Sequence, residues 1–254
     1  MAHLRLLPFI PLTVLFLSHV VGAAPTDDSA THAKVISHCA EPNTVALTFD
    51  DGPYDFLRKF VDLLGEHGAK GTFFFNGDNY DCIYDEKRVE DIQYTFDRGH
   101  QVGSHTWHHS DLGEIKTESK MMDEFVRTEE ALKKILGIEV AMTRPPFGSL
   151  NSLAEEVAAK RGQTLILWDL DTRDADGASV KYSKSQYDEV VKKSPSSILA
   201  LNHEPYKRTL TEVIPYAIEI LKEKYRFVTV AECLGMEAYH SIGSRSVRDK
   251  TWKC

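Results

Sequence analysis

From residue 44 onwards, short apolar segments rich in β-branched and aromatic residues alternate with longer amphipathic segments. The short segments predict strands, and the longer ones, with apolar positions every three or four residues, predict helices. The predicted strands are 44–49, 71–76, 101–103, 140–143, 164–168, 197–202 and 227–230, and the predicted helices are 54–67, 87–98, 117–136, 152–160, 185–193 and 210–224. Strands separated by helices pair in parallel, because each crossover returns the chain to the same end of the sheet. The pattern predicts an α/β fold, and a barrel and a doubly wound sheet both fit it.

The first 24 residues have a different pattern. Basic His3 and Arg5 precede an apolar run at 6–21 and the small residues 22–24, which is typical of a secretory signal peptide. A membrane anchor is the alternative, but two prolines interrupt the run and its apolar part is short for a bilayer span. We therefore expect a signal peptide at 1–24, a polar leader at 25–38, one catalytic domain at 39–237 and a tail at 238–254. The mature protein is expected to be secreted, either free outside the cell or associated with the cell wall, and not to bind the membrane.

Composition and charge restrict the function classes. With 42% hydrophobic and 27% charged residues, the 254-residue chain can form one large core. A net charge of −8 argues against partners whose binding needs a positive surface, such as nucleic acid or anionic lipid. We expect a monomer that does not bind nucleic acid.

Four cysteines are widely and irregularly spaced, which argues against a cysteine zinc site. An even count in a secreted chain predicts two disulfides, for which three pairings exist. Cys39 precedes the first core strand and Cys233 follows the last, so a bond between them would fasten both chain ends. Cys82 and Cys254 would then remain, and their bond would hold the tail.

Candidate chemistry lies at predicted strand ends, where the active sites of parallel α/β folds are found. Asp50 and Asp51 close the first strand before a Gly-Pro turn, and His105 and His109 follow the third strand. A four-residue spacing on a helical turn would place both imidazoles on one face, where a carboxylate completes a metal site with open positions. The alternatives are an Asp/Gly turn and a solvated helix start, and His108 would point elsewhere on that turn.

These two segments resemble the first two motifs of the polysaccharide deacetylase family, also called carbohydrate esterase family four or the NodB homology domain. Three further segments resemble the remaining motifs in family order: Arg144-Pro145-Pro146-Phe147-Gly148, then Trp168 to Asp174, then Leu201-Asn202-His203. The resemblance covers residues from about 44 to 233. It implies a distorted (β/α) barrel with about seven parallel strands, which decides between the two architectures.

The resemblance also implies roles for individual residues. Asp50 would be the catalytic base, held by Arg144, and His203 the general acid, oriented by Asp174. Asp51, His105 and His109 would hold the metal ion. The expected ion is Zn²⁺, although the same donor set accepts Co²⁺ or Ni²⁺.

The expected substrate pocket departs from the family pattern at two positions. Phe147 stands where the family usually has Tyr, but its backbone N–H would still serve as an oxyanion donor. Ala175 replaces a large aromatic residue, so part of the acetyl-pocket wall is either missing or supplied by another residue such as Trp168 or Leu201. Tyr54 is a candidate for stacking on a sugar ring, and the other aromatic candidates are Tyr80, Trp107, Phe147 and Tyr206. The alternative for each of them is a packing residue.

Segments 43–54, 76–84 and 228–235 resemble fungal chitin deacetylases more than peptidoglycan or xylan enzymes. The expected activity is metal-dependent hydrolysis of N-acetyl groups on chitin or its oligomers, which releases acetate and leaves chitosan. Deacetylation of peptidoglycan or xylan is one alternative. A catalytically silent chitin-binding protein is another; the intact ligands and base argue against it, while Ala175 keeps it open.

Overall fold

A computed structural model describes Met1 and residues 31–254 of the chain. The predicted signal peptide, apart from Met1, and the leader as far as residue 30 lie outside the described residues. Among residues 31–254, no helix combines the length and the apolar character needed to cross a membrane.

Within residues 31–254, eleven strands form one large sheet and one small one. They are β1 (Val35–Ile36), β2 (Thr44–Gly52), β3 (Gly71–Phe75), β4 (Gln101–Ser104), β5 (Ile138–Val140), β6 (Met142–Thr143), β7 (Thr164–Ile166), β8 (Leu170–Asp171), β9 (Ser197–His203), β10 (Arg226–Phe227) and β11 (Tyr239–Ile242). The large sheet runs in the order β1-β7-β6-β4-β3-β2-β9-β8, and β10 also pairs with β2. Every strand pair in it is parallel. The expected distorted (β/α) barrel is confirmed, with nine strands of which four have only two residues.

In the same part of the chain, seven α-helices accompany the strands: α1 (Leu57–Glu66), α2 (Glu86–Asp97), α3 (Glu118–Leu136), α4 (Ser152–Lys160), α5 (Val180–Lys193), α6 (Ile214–Leu221) and α7 (Val230–Leu234). A 3₁₀ turn lies at Pro146–Gly148, and a π-helical turn at Thr209–Val213 leads into α6. The amphipathic pattern that predicted α1 matches its packing, since Phe60 and Leu64 on one face are fully buried. Helix α3 ends at Gly137, whose φ of 77° suits a residue without a Cβ.

The centre of the core lies at β2. All nine residues of this strand are buried, because β3 and β9 flank it in the sheet. Phe49 packs against Phe60 and Phe73 with ring centroids 4.7 and 4.9 Å away. A strand buried on both faces is expected to be almost continuously apolar, so the two carboxylates at its end are exceptional.

One predicted strand near the carboxyl terminus is partly replaced by a helix. The strand expected at 227–230 stops at Phe227, and α7 begins at Val230. Thr229 accepts a hydrogen bond from the Glu232 N–H while the Glu232 side chain accepts one from the Thr229 N–H. This reciprocal capping stabilises a helix start and overrides the β-propensity of the valines.

The strand expected at 140–143 is divided between β5 and β6. Strand β5 pairs antiparallel with β11, which belongs to the predicted polar tail. The tail is therefore partly ordered as a strand. Both expected disulfides are present, Cys39–Cys233 and Cys82–Cys254, so the second one fastens the end of the tail beside β3.

Candidate active site

The register of the large sheet brings the candidate residues together at its carboxyl edge. Asp50 in β2 lies opposite His203 in β9. Ser104 in β4 lies opposite Thr143 in β6, so His105 and Arg144 leave their strands side by side. Parallel pairing thus collects residues that are far apart in the sequence at one edge.

Asp51, His105 and His109 form a compact cluster. Their donor atoms all lie within 4.8 Å of one another. Oδ1 of Asp51 is 3.1 Å from Nε2 of His109 and 3.4 Å from Nε2 of His105. Asp51 and His105 are buried, and His109 is half-buried.

The cluster fits a metal ion on structural grounds. Oδ1 of Asp51 is buried and has no hydrogen-bond partner among the described residues. Nδ1 of His105 is 2.7 Å from the carbonyl oxygen of Arg144, and donation there leaves the Nε2 lone pair facing Asp51. One carboxylate oxygen and two imidazole nitrogens are a donor set that zinc prefers.

The two imidazoles do not lie on a helical face, so that part of the prediction is wrong. Residues 105–110 form a loop. Thr106 and His109 both have positive φ, at 69° and 57°, and these turns bring the second imidazole back towards the first. His108 points away from the cluster and contacts Glu124.

Asp50 is paired with Arg144. The two side chains are buried, and Nη1 of Arg144 donates to Oδ1 of Asp50 over 3.0 Å. The guanidinium also donates to the carbonyl oxygens of Ile166 and Leu167 and to the hydroxyl of Thr48. Because these contacts fix the guanidinium, Asp50 has a fixed position with its other oxygen 3.7 Å from Nε2 of His105.

His203 is paired with Asp174. Nδ1 of His203 donates to Oδ1 of Asp174 over 2.7 Å, and Oδ2 accepts from the His203 N–H and the Thr209 hydroxyl. Burial opposes protonation of the imidazole, but the hydrogen bond and charge of Asp174, with the charges of Asp50 and Asp51, raise the pKa of His203 to about 9. This raised pKa favours the protonated form of the ring at neutral pH.

A cavity of about 570 Å³ is lined by the Asp51–His105–His109 cluster, Asp50 and His203 together. Of the expected substrate-binding residues, Phe147, Trp168 and Leu201 line it, as does Ala175, while Tyr54 does not. Phe147 is 66% exposed with its ring 4.6 Å from that of His109.

Three of the aromatic candidates, Tyr54, Tyr80 and Trp107, do not line this cavity. Tyr54 packs beside Tyr80, with ring centroids 5.1 Å apart. Trp107 is buried, with the guanidinium of Arg127 over its ring, so it is not available for stacking on sugars and that candidate is wrong.

Several residues at or near the site were not identified from the sequence. Arg173 lines the cavity and contacts Asp171 and Asp176, which places charges at its rim. Glu204 follows His203 and is fully buried, and its Oε1 accepts from the Phe56 N–H. Burial raises the pKa of Glu204 to about 8, against the backbone hydrogen bonds that it accepts. Its position directly after a candidate catalytic histidine was the only local signal.

Comparisons with known proteins agree with this geometry. Residues 37–166 match the polysaccharide deacetylase family. A chitin deacetylase of Pestalotiopsis sp is 34% identical over 233 residues, covering 89% of this chain and 76% of that protein. A probable peptidoglycan-N-acetylglucosamine deacetylase of Arthroderma benhamiae is 32% identical over 209 residues, covering 80% of this chain and 46% of that protein. The structure of the chitin deacetylase from Colletotrichum lindemuthianum superposes with a TM-score of 0.76 at 29% identity, covering 82% of this chain and 96% of that one.

Proposed function

The chain belongs to the polysaccharide deacetylase family, and we propose that it hydrolyses the N-acetyl groups of chitin or chitin oligomers, releasing acetate and leaving chitosan. The relatives named chitin deacetylase support this choice of polymer. The two disulfides support action outside the cell, where such bonds persist.

One observation carries the proposal. A single cavity joins a three-donor metal cluster to a buried, arginine-held carboxylate and a carboxylate-paired imidazole. Amide hydrolysis needs a base that activates water, a stabiliser for the developing oxyanion and an acid for the leaving amine. The cavity contains a candidate for each.

Asp51, His105 and His109 would hold the ion, which we propose to be Zn²⁺, with Co²⁺ or Ni²⁺ also suited to these donors. When bound, the cation polarises the substrate carbonyl and lowers the pKa of water from about 15.7 towards 7.

Asp50 would act as the general base. Its carboxylate is fixed by Arg144 and would accept a proton from the water that attacks the acetamide carbon. The new C–O bond leaves negative charge on the former carbonyl oxygen. The backbone N–H of Phe147, in the turn with φ of 60°, is our candidate donor to that oxygen.

His203 would act as the general acid. Its Nδ1 is bound to Asp174, so Nε2 remains to deliver a proton to the sugar nitrogen as the C–N bond breaks. The products are acetate and a free amine. The half-buried Trp168 and the buried Leu201 would contact the acetyl group, and Phe147 would contact the sugar at the cavity mouth.

The test is acetate release from chitin oligomers by the purified mature protein, before chelation, after chelation and after Zn²⁺ is restored. We expect release that is lost and then regained, and none from the Asp50→Asn variant. The same assay on peptidoglycan and xylan tests the second candidate, which the Arthroderma relative favours. Retention on chitin without acetate release from any of these glycans, by metal-loaded protein, would instead identify a silent binding protein.

A further inference from the structure

Glu124 in α3 lies outside the cavity but binds the loop that carries both histidines of the metal cluster. Oε2 accepts from the backbone N–H groups of Trp107 and His108, over 3.0 and 2.9 Å. Oε1 accepts from the Ser110 hydroxyl over 2.7 Å and is 3.1 Å from Nδ1 of His108. Four donors thus converge on one carboxylate that is only 5% exposed.

The loop needs such support because its backbone is strained. Thr106 and His109 are non-glycine residues in the left-handed region, a conformation that persists only when the surroundings impose it. On the other side of the loop, the Asn76 side chain donates to the carbonyl oxygens of His105 and Thr106 over 2.5 and 3.2 Å. Asn76 therefore holds carbonyl groups of the loop, and Glu124 holds its N–H groups.

We propose that Glu124 is a positioning residue that sets the metal affinity of the Asp51–His105–His109 cluster. It touches neither the cluster nor the cavity. It acts through the loop, by keeping the His109 imidazole within reach of Asp51. The inference rests on the metal site of the proposed function and is independent of which polymer is the substrate.

Glutamine at this position removes the negative charge of Glu124 and nearly preserves the shape of its side chain. The Glu124→Gln side chain has nearly the same size, but its NH₂ group cannot accept hydrogen bonds. Either the two backbone N–H groups or the two side-chain donors then face another donor, and the buried groups are left unsatisfied. The loop relaxes, and the donor atoms lose their spacing. Loss of partners that orient metal ligands typically lowers metal affinity about 10–100-fold, and we expect a loss in that range.

The experiment measures the Zn²⁺ dissociation constant by competition with a chromophoric chelator. The matched control is Glu130→Gln, the same change at an exposed position on the same helix. Thermal unfolding of the chelated proteins shows whether each variant is folded before metal is added. The proposal expects weaker binding in folded Glu124→Gln and wild-type binding in Glu130→Gln. Wild-type affinity in folded Glu124→Gln overturns it.

A second variant covers the case in which Glu124→Gln does not fold. The double change His108→Ala and Ser110→Ala removes the two side-chain donors but leaves Glu124 and the two backbone hydrogen bonds in place. We expect a several-fold loss of Zn²⁺ affinity, and an unchanged dissociation constant contradicts the proposal. Since the readout is metal binding, failure here is distinct from failure of the deacetylation assay.

Discussion

At the residue scale, two adjacent carboxylates have different surroundings. Asp50 faces a fixed guanidinium, and Asp51 faces two imidazoles. We expect Asp50→Asn to bind Zn²⁺ like wild type and to lose roughly 10²–10⁴-fold in turnover, because only the general base is removed. Asp51→Asn should lose metal as well as turnover. Metal content after gel filtration and acetate release measure both effects.

The comparison has an internal control in His105→Ala, which should resemble Asp51→Asn because it also removes a ligand. Equal metal loss in the Asp50 and Asp51 variants would contradict the division of roles between them.

The pair of His203 and Asp174 predicts a pH dependence. A general acid must carry its proton, so turnover should fall as pH rises through the pKa of His203, which is about 9. Asp174→Asn removes the negative charge that raises this pKa and leaves a neutral amide oxygen as a weaker acceptor for Nδ1. The alkaline limb of the kcat profile should therefore move to lower pH by roughly 1–3 units.

Asp123→Asn, at an exposed position on α3, is the matched control and should leave the limb in place. An alkaline limb at the wild-type pH in Asp174→Asn would exclude His203 as the group responsible.

The chemical groups of the site could be predicted from sequence, but their geometry could be predicted only in part. Asp50 and Asp51 lie at the end of the buried strand β2, and His105 follows the buried strand β4; parallel pairing places such ends together. The positive φ of His109 has no sequence signal, so a helical spacing was inferred where a loop exists. Glu124 is 15 residues after His109 on an ordinary amphipathic helix, and nothing local distinguishes it.

At the element scale, the strands that are long and fully buried could be predicted from the sequence. Strands β2, β3 and β9 are long and buried on both faces, so their apolar runs identify them. Strands of two residues, such as β8, are too short to produce a period. The valines at 228 and 230 favoured a strand, but the capping interaction of Thr229 and Glu232 decides for a helix.

Glu204 directly follows the carboxyl end of β9, and we expect it to make the stability of the protein depend on pH. Burial raises the pKa of Glu204 from 4.5 to about 8. The stabilisation that comes from burying the protonated carboxyl group is therefore fully present below pH 4.5 and is lost as pH rises towards 8. Glu204→Gln keeps the acceptor for the Phe56 N–H and removes the ionisation. Relative to wild type, the variant should therefore gain stability between pH 5 and 8, on the order of several kcal/mol.

Urea unfolding of chelated protein at pH 5, 6.5 and 8 measures this difference, and chelation removes the separate pH dependence of metal binding. Parallel stability curves for wild type and Glu204→Gln would show that Glu204 is not the group that titrates.

At the scale of the whole molecule, the alternation of strands and helices predicts parallel pairing but not closure. A barrel and a doubly wound sheet use the same local elements, so periodicity cannot separate them, and the order of the five motifs was needed. The pairing of Cys39 with Cys233 could be expected because one precedes the first predicted core strand and the other follows the last. Cys39 and Cys233 are 194 residues apart, and their bond joins the segment before β2 to α7.

We expect the Cys39–Cys233 bond to stabilise the fold without affecting the metal affinity of the site. The Cys39→Ser/Cys233→Ser variant should lose about 2–5 kcal/mol of stability, because closing a long loop restricts the unfolded chain. Cys39 lies near the start of β9, at the amino edge of the sheet, whereas Asp51 is at the carboxyl edge, roughly 20 Å along the strand direction. The Zn²⁺ dissociation constant of the folded variant should therefore equal that of wild type. Urea unfolding of chelated protein and chelator competition measure the two quantities separately. A loss of metal affinity alongside stability would mean that the sheet transmits strain from one edge to the other, and the site would then depend on the whole barrel rather than on its own loops.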